Sequence, residues 1–241
     1  MRLLVSVENA TEALSAITGG ADLIDAKDPR SGALGPVSVE ALDAIHTAVA
    51  ARRPVTAALG DASDEAAIEL AARRFADTGV AFVKVGFRGV TSRGRARALT
   101  DAAARGARAG RSGSGVVAVA YAEAGCVGSL TPRDLSEVAA DAGVEGLLID
   151  TADKRGPGLR RLVEPHMLAQ WVGEAHSAGL FVALAGKLTS DDLGFVRDAG
   201  ADIAGVRGAA CDGGRTGKVI ADRVRLLRGL CSSETTASSN F

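Results

Sequence analysis

Aromatic residues are scarce in this 241-residue sequence: they make up 3% of it, with one tryptophan and one tyrosine. The core must therefore be built from alanine, valine, leucine and isoleucine, a composition that suits helices packed on a sheet. Charge of one sign is also lacking, because the net charge is -1 at pH 7. Without a positive field there is nothing to attract nucleic acid or an anionic membrane, so we expect neither as a partner.

Long hydrophobic runs and metal-binding patterns are missing as well. No apolar stretch reaches transmembrane length, and the N-terminal run in MRLLVSVENATEAL is too short for a signal-peptide core, which predicts a cytoplasmic protein. Cys126, Cys211 and Cys231 fit neither a disulfide framework nor a zinc site and are expected to be small buried thiols. The histidines form no HxH or HxxxH pair. We therefore predict no metal and no cofactor.

One pattern recurs along the chain: a helix ending in alanine or aspartate, a glycine, a short polar step and an apolar strand. It occurs as TGGADLIDAK, DTGVAFVKVG, DAGVEGLLIDTA, SAGLFVALAGK and DAGADIAGVRG. Each glycine lies where a residue in the left-handed conformation would end a helix. Repeated units of this kind predict a parallel sheet covered by helices.

The pattern predicts eight strands, each followed by a helix. The strands are expected near 3–7, 23–27, 54–60, 82–86, 116–122, 146–151, 181–186 and 202–207. The helices are expected near 10–18, 38–52, 63–77, 92–107, 132–142, 164–178, 190–199 and 216–229. We read the segment 106–115 as a mobile loop rather than a domain linker.

Eight strand–helix pairs in a chain of this length predict an α/β fold, a single (β/α)8 TIM barrel. A doubly wound open sheet is the competing fold, but it usually has fewer strands and often a Gly-rich turn after the first strand, which LLVSVENATEA lacks. We assign residues 1–230 to the barrel and residues 231–241 to a disordered polar tail.

Lysine is unusually rare, since only five of the 28 basic residues are lysine. Four of the five lie in or just after the last residues of predicted strands, at the rim where barrel enzymes gather catalytic groups. Unlike guanidinium, an ammonium can lose its proton when it is desolvated or placed beside another cation. The five are Lys27, Lys84, Lys154, Lys187 and Lys218.

Asp25 and Lys27 alternate along the second predicted strand and so share one face. There Lys27 can be an amine nucleophile and Asp25 a proton carrier or an orienting group. The alternative is a buried structural ion pair. Lys84 favours the functional interpretation, because a second cation would lower the pKa of Lys27 and could act as a general base once neutral.

The sixth predicted strand ends in LLIDTADKRGPG and adds a second pair of charges to the rim. Asp150 can orient a group or shuttle protons, and Lys154 can hold an anion, although a solvated loop residue also explains Lys154. Glu123, after the fifth predicted strand, is a further carboxylate with a weaker claim.

The loops after the last two predicted strands, AGKLTS and VRGAACDGGRTGK, predict a phosphate site. Their glycines let backbone N–H groups approach an anion, and their basic residues supply charge, although ordinary turn glycines are the alternative. GGRTGKV is not a nucleotide P-loop, because Val219 replaces the serine or threonine that binds magnesium. The candidate residues are Gly186, Lys187, Arg207, Gly208, Gly213, Gly214 and Arg215.

Four segments, LLVSV, GGADLIDAKDPRSGALG, AFVKVG and LLIDTADKRGPGL, resemble the (5-formylfuran-3-yl)methyl phosphate synthase family. The resemblance implies a (β/α)8 barrel that condenses two molecules of glyceraldehyde 3-phosphate, losing phosphate and water, to a furan precursor of methanofuran-type one-carbon carriers. It implies Lys27 as the Schiff-base lysine and Lys84 as the proton acceptor, with Asp25, Asp150 and Lys154 assisting.

Other functions stay open at this point. A class I aldolase or a triose or pentose phosphate isomerase would use the same lysine and phosphate loops, and a non-catalytic sugar-phosphate-binding barrel would use the loops alone. The expected partner in each case is a small phosphorylated sugar, a triose phosphate for the synthase. The oligomeric state is left open, with a homo-oligomer among the options.

Overall fold

Eight parallel strands close into a barrel in the order in which they occur in the chain. The computed structural model describes residues 1–111 and 113–232. The strands are β1 (Arg2–Val7), β2 (Leu23–Ala26), β3 (Val55–Asp61), β4 (Phe82–Gly86), β5 (Gly115–Tyr121), β6 (Gly146–Asp150), β7 (Phe181–Leu184) and β8 (Ile203–Val206). Because β1 pairs with both β2 and β8, the barrel has no open edge. The predicted (β/α)8 fold is confirmed.

Helices follow every strand and form the outer layer. They are α1 (Ala10–Thr18), α2 (Val39–Val49), α3 (Glu65–Ala76), α4 (Arg93–Ala109), α5 (Ala124–Val127), α6 (Pro132–Asp141), α7 (Leu159–Leu162), α8 (Pro165–Ser177), α9 (Leu193–Asp198) and α10 (Ala221–Ser232). Short 3-10 turns at Ser190–Asp192 and Gly208–Ala210 follow β7 and β8. A small antiparallel hairpin, β9 (Cys211–Asp212) and β10 (Lys218–Val219), precedes α10. None of the described helices is both long and apolar enough to cross a membrane.

Local sequence signals fix where these helices begin and end. The side chains of Asn9, Ser38, Asp64, Ser92 and Thr131 each accept a backbone N–H in the first turn of the helix that follows. The glycines predicted to end helices all have positive φ angles, at Gly20, Gly79, Gly143, Gly179 and Gly200. These residues in the left-handed conformation end the helices and let the chain turn toward the next strand.

Alternation along each strand separates two apolar regions. On β1, Leu3 and Val5 belong to the core between the sheet and the helices, whereas Leu4 belongs to a second cluster inside the barrel. Ser6 follows Leu4 on the inner face, at the C-terminal end of the strand. The inner face therefore changes from apolar to polar along the strand.

Three predictions about loops and ends need correction. The segment 106–115 is not a loop throughout, because residues 106–109 form the end of α4 and β5 begins at Gly115. Cys231 and Ser232, assigned to the polar tail, form the end of α10, where Cys231 is buried; the rest of the predicted tail lies outside the described residues. Cys126 is exposed, unlike the other two cysteines.

A close contact joins α4 to α3. Gly106 lies against the backbone of α3, and a Cβ atom there would overlap the carbonyl oxygen of Glu69. Only glycine lets the two helices approach so closely at this point.

We predict that Gly106→Ala destabilises the protein by about 1–3 kcal/mol, because the extra methyl group forces the two helices apart. Gly173→Ala in α8 is the matched control, since a Cβ atom there meets nothing within 4 Å. It is expected to raise the free energy of unfolding by about 0.5–1 kcal/mol. Denaturant unfolding of both variants checks the pair, and equal effects would contradict the contact.

Candidate active site

A cavity of about 270 Å³ occupies the inside of the barrel and its C-terminal mouth. All five predicted catalytic residues line it, and four of them are buried while Lys154 is partly buried. The strands deliver them directly: Lys84 lies within β4, Asp25 within β2 and Asp150 at the end of β6, with Lys27 one residue after β2. This arrangement is consistent with the prediction that these residues meet at one mouth of the barrel.

Asp25 is the centre of a buried polar network. Its Oδ1 atom lies 2.5 Å from Nζ of Lys84 and accepts a hydrogen bond of 2.8 Å from Oγ1 of Thr56. Its Oδ2 atom accepts a bond of 2.9 Å from Oγ of Ser6. Strand register explains these contacts, because Ser6 and Thr56 are the residues paired with Asp25 on β1 and β3. Asp25 thus pairs with Lys84 rather than with its strand neighbour Lys27.

Asp150 forms the second buried pair. Its Oδ1 atom accepts hydrogen bonds of 2.6 Å from Nζ of Lys154 and 2.7 Å from the backbone N–H of Thr151. Burial raises the pKa of Asp150, but Lys154 and Lys27 oppose it and the net result is a lowered pKa. Its Oδ2 atom is buried and has no partner among the described residues. The residue Asp150 lines the cavity, and a carboxylate oxygen without a partner can accept a further hydrogen bond.

Lys27 differs from the other two lysines. Its amine makes no hydrogen bond or ion pair with the described residues, although the residue is only 8% exposed. Burial lowers its pKa from 10.5 to about 8, with Asp150 opposing the shift and Lys154 reinforcing it. A pKa of about 8 leaves about one-tenth of the amines neutral at pH 7, against about one in 2,500 for an ordinary lysine. An uncharged, buried amine is a competent nucleophile.

The loops after β7 and β8 bring free backbone donors to the same cavity. The N–H groups of five residues that line the cavity donate to no acceptor within the described part of the chain, so they are available to a bound anion. Gly186 and Lys187 have φ angles of 112° and 57°, which turn this backbone sharply after β7. The five donors belong to Gly186, Lys187, Leu188, Gly208 and Ala209.

Arg207 has a different set of partners from the one expected. Its guanidinium forms a buried double ion pair with Glu12 and also donates to the carbonyl oxygens of Ser6, Arg215 and Gly217. All its donors are used within the protein, so it fixes the loop after β8 instead of offering a free charge. Glu12 was not singled out in the sequence, where it reads as an ordinary first-turn glutamate of α1.

The remaining candidates are divided between the mouth and the surface. Arg215 lines the cavity, and its guanidinium donates to the carbonyl oxygens of Pro29 and Gly32, which ties the loop after β8 to the loop after β2. Gly213 and Gly214 do not line the cavity. Their positive φ angles and exposure make them turn residues of the β9–β10 hairpin. The alternative explanation, ordinary turn glycine, fits these two.

Glu123 supports the loop after β6. Its Oε1 atom accepts hydrogen bonds of 2.7 and 2.9 Å from the N–H groups of Ala152 and Asp153. The described residues contain no cluster of histidine, cysteine and carboxylate side chains arranged to hold a metal ion. The ionisable side chains that line the cavity are four lysines, two aspartates and two arginines.

A family model described as 4-HFC-P synthase matches residues 3–228. The chain belongs to this family. The (5-formylfuran-3-yl)methyl phosphate synthase of Methanopyrus kandleri is 41% identical over 214 residues, covering 88% of this chain and 90% of that protein. The protein of the same name from Methanocaldococcus jannaschii is 38% identical over 234 residues, covering 96% of this chain and 100% of that protein. The predicted family is confirmed, and its members are named as synthases.

Solved structures with low identity share the barrel. A 3-hexulose-6-phosphate synthase has a TM-score of 0.64 at 21% identity, covering 95% of this chain and 99% of that one. A phosphoribosyl anthranilate isomerase from Thermus thermophilus has a TM-score of 0.64 at 16% identity, covering 95% of this chain and 98% of that one. These similarities show that this member of the 4-HFC-P synthase family has the barrel fold, and they show nothing about its substrate.

We predict that Lys27→Met raises the free energy of unfolding by about 3 kcal/mol at pH 7, because folding places the ammonium in a buried site that lowers its pKa. Between pH 8 and 10.5 the unfolded state binds more protons than the folded state, so the wild type gains stability with rising pH and the variant does not. The advantage of the variant must shrink across that window. Lys218→Met, at an exposed position, is the control. A constant difference at all pH values would contradict the lowered pKa.

We predict that Glu12→Ala lowers the free energy of unfolding by about 3–5 kcal/mol, because it leaves the guanidinium of Arg207 buried without a counter-charge. Glu69→Ala, which removes an exposed ion pair with Arg105, should change stability little. Chemical denaturation measures both. If the two variants were equally stable, Arg207 would not depend on Glu12.

Proposed function

We propose that this chain is a (5-formylfuran-3-yl)methyl phosphate synthase. In the proposed reaction two molecules of glyceraldehyde 3-phosphate give one phosphorylated furan aldehyde, one inorganic phosphate and two molecules of water. The reaction proceeds through an imine on Lys27. Family membership supports the product class, and the observation that carries the mechanism is the buried amine of Lys27, which lacks a partner among the described residues.

The first step is imine formation. The neutral amine of Lys27 adds to the carbonyl carbon of one triose phosphate, and the resulting hydroxyl leaves as water. Asp150 is suited to this step, because its free Oδ2 atom accepts a proton or a hydrogen bond while Lys154 holds its Oδ1 atom. The imine then acts as an electron sink for the neighbouring carbon.

Lys84 and Asp25 move protons in the second step. An amine at Lys84 removes the proton next to the imine carbon, which leaves an enamine whose carbon attacks the aldehyde of the second triose phosphate. The short contact between Lys84 and Asp25 supports a relay in which Asp25 takes this proton from the lysine and later returns it. Lys84, an ammonium again once the proton is back, then donates it to the alkoxide that forms on attack.

Phosphate is held and released at the rim. The five free N–H groups of the loops after β7 and β8 support binding of the retained phosphate, since backbone donors at fixed positions recognise such oxygens without side-chain rearrangement. Elimination of the other phosphate needs a cation near the leaving oxygen. Lys154 and Lys187 both line the cavity and can fill that role. The cytoplasmic location and the oligomeric state stay predictions.

The test is incubation with glyceraldehyde 3-phosphate, following furan-aldehyde absorbance and phosphate release, with borohydride trapping and mass analysis of the adduct. The wild type is expected to form product and a reduced adduct on Lys27, and Lys27→Arg is expected to lose both. Lys218→Arg, at an exposed lysine, should keep both.

Each competing function has its own result in this assay. A class I aldolase or an imine-forming isomerase gives the Lys27 adduct without the furan chromophore, and a non-catalytic binding barrel gives no adduct. Product formation that survives Lys27→Arg undiminished would overturn the assignment of the nucleophile.

A further inference from the structure

The inner face of the barrel is divided into an apolar half and a polar half. Along β2 the inward residues are Leu23, then Asp25, with Lys27 next, and along β4 Phe82 precedes Lys84. On β6, Leu148 precedes Asp150 in the same way. The charged residues therefore form a layer near the C-terminal mouth, and the cavity continues below this layer toward the N-terminal end.

We name the part of the cavity toward the N-terminal end of the barrel the inner chamber. The side chains that form its walls are all apolar: Leu4, Leu23, Val117, Leu148, Ala183 and Ile203. In most barrels of this type bulky side chains fill the corresponding layers. Here the small side chain of Ala183 occupies an inward position on β7, and the chamber is continuous with the upper part of the cavity, which the lysines line.

Two aromatic rings lie at the N-terminal end of the inner chamber. The rings of Phe82 and Phe181 meet edge to face, with their centroids 5.3 Å apart. Each ring packs against a glycine at the start of a neighbouring strand. A Cβ atom at Gly115 would come within 2.7 Å of Phe82, and one at Gly146 within 2.6 Å of Phe181. The glycines let the rings lie across the barrel, where they give the chamber an aromatic floor.

We propose that the inner chamber binds the furan ring as it forms, with the imine carbon held by Lys27 at the chamber's upper edge. This inference rests on the proposed function and adds a binding site for the uncharged part of the product. The phosphate stays at the rim, among the free N–H groups of the loops after β7 and β8.

The chemistry of the reaction selects this occupant. After the carbon–carbon bond forms, a hydroxyl oxygen adds to a carbonyl carbon to close the ring, and elimination of water and phosphate then breaks C–O and C–H bonds without any oxidant or reductant. Each elimination removes a polar group and makes the ring flatter and more apolar. A chamber without donors or acceptors binds the aromatic ring better than its hydroxylated precursors, so it favours the late steps.

The chamber can be tested with two aldehydes that carry no phosphate. Furfural contains the ring, and glycolaldehyde is small and polar; each can form an imine at Lys27 that borohydride traps. The readout is the ratio of furfural to glycolaldehyde labelling at Lys27, measured by mass spectrometry. In the wild type both aldehydes are expected to label Lys27.

Three variants distinguish an effect on binding in the chamber from a general loss of stability. Ala183→Leu fills the chamber, and Val117→Thr places a hydroxyl in it at nearly constant volume. Both are expected to lower the labelling ratio at least about fivefold. Val116→Thr is the matched control, because Val116 is the neighbouring residue of β5 but packs in the core outside the barrel. Its ratio is expected to equal that of the wild type.

The outcomes distinguish the two proposals. A wild type that makes furan from triose phosphate, with an unchanged labelling ratio in Ala183→Leu and Val117→Thr, would overturn the chamber assignment alone. A falling ratio in both variants, in a protein that makes no furan from triose phosphate, would support the chamber and overturn the proposed function. An equal fall in Val116→Thr would also overturn the chamber assignment, since the effect would then follow stability.

Discussion

The buried amine of Lys27 is the constraint on which the rest of the site depends. Four lysines and two aspartates line one cavity, and each aspartate is paired with a lysine other than Lys27. Lys27 is left without a partner among the described residues. Burial is the main cause that lowers the pKa of its amine to about 8, and the charge of Lys154 adds to this shift while Asp150 opposes it. The arrangement that leaves the amine unpaired and buried thus also raises the fraction of it that is neutral and nucleophilic.

Both the strands of the barrel and the loops that follow them hold this arrangement in place. The register of β1, β2 and β3 places Ser6 and Thr56 against Asp25, which leaves that carboxylate occupied and Lys27 without it. The loop after β8 is held by the buried pair of Arg207 and Glu12. These charged groups are thus occupied with one another and hold the strands and the loop in place, while the amine of Lys27 has no partner among the described residues.

The sequence predicted the barrel well because its signals are local and repeated: a glycine at each helix end and an apolar strand after it. The common mouth of the lysines could also be predicted, since parallel strands end together. The pairing of Asp25 with Lys84 could not, because it depends on contacts between strands that are distant in the chain. The role of Arg207 was missed for the same reason, since its partner Glu12 lies near the other end of the chain. The end of α4 was placed at 107 instead of Ala109, an error of two residues at a helix end, where the last turn is hard to delimit.

The most direct test of the account is the titration of Lys27 itself. The chain contains only five lysines, so a protein labelled with ¹³C at lysine Cε gives few NMR signals, and Lys27→Arg identifies the one of interest. The account predicts that this signal titrates with a pKa of about 8 in the folded protein. A Lys27 signal that titrates near the ordinary value of 10.5 would contradict it.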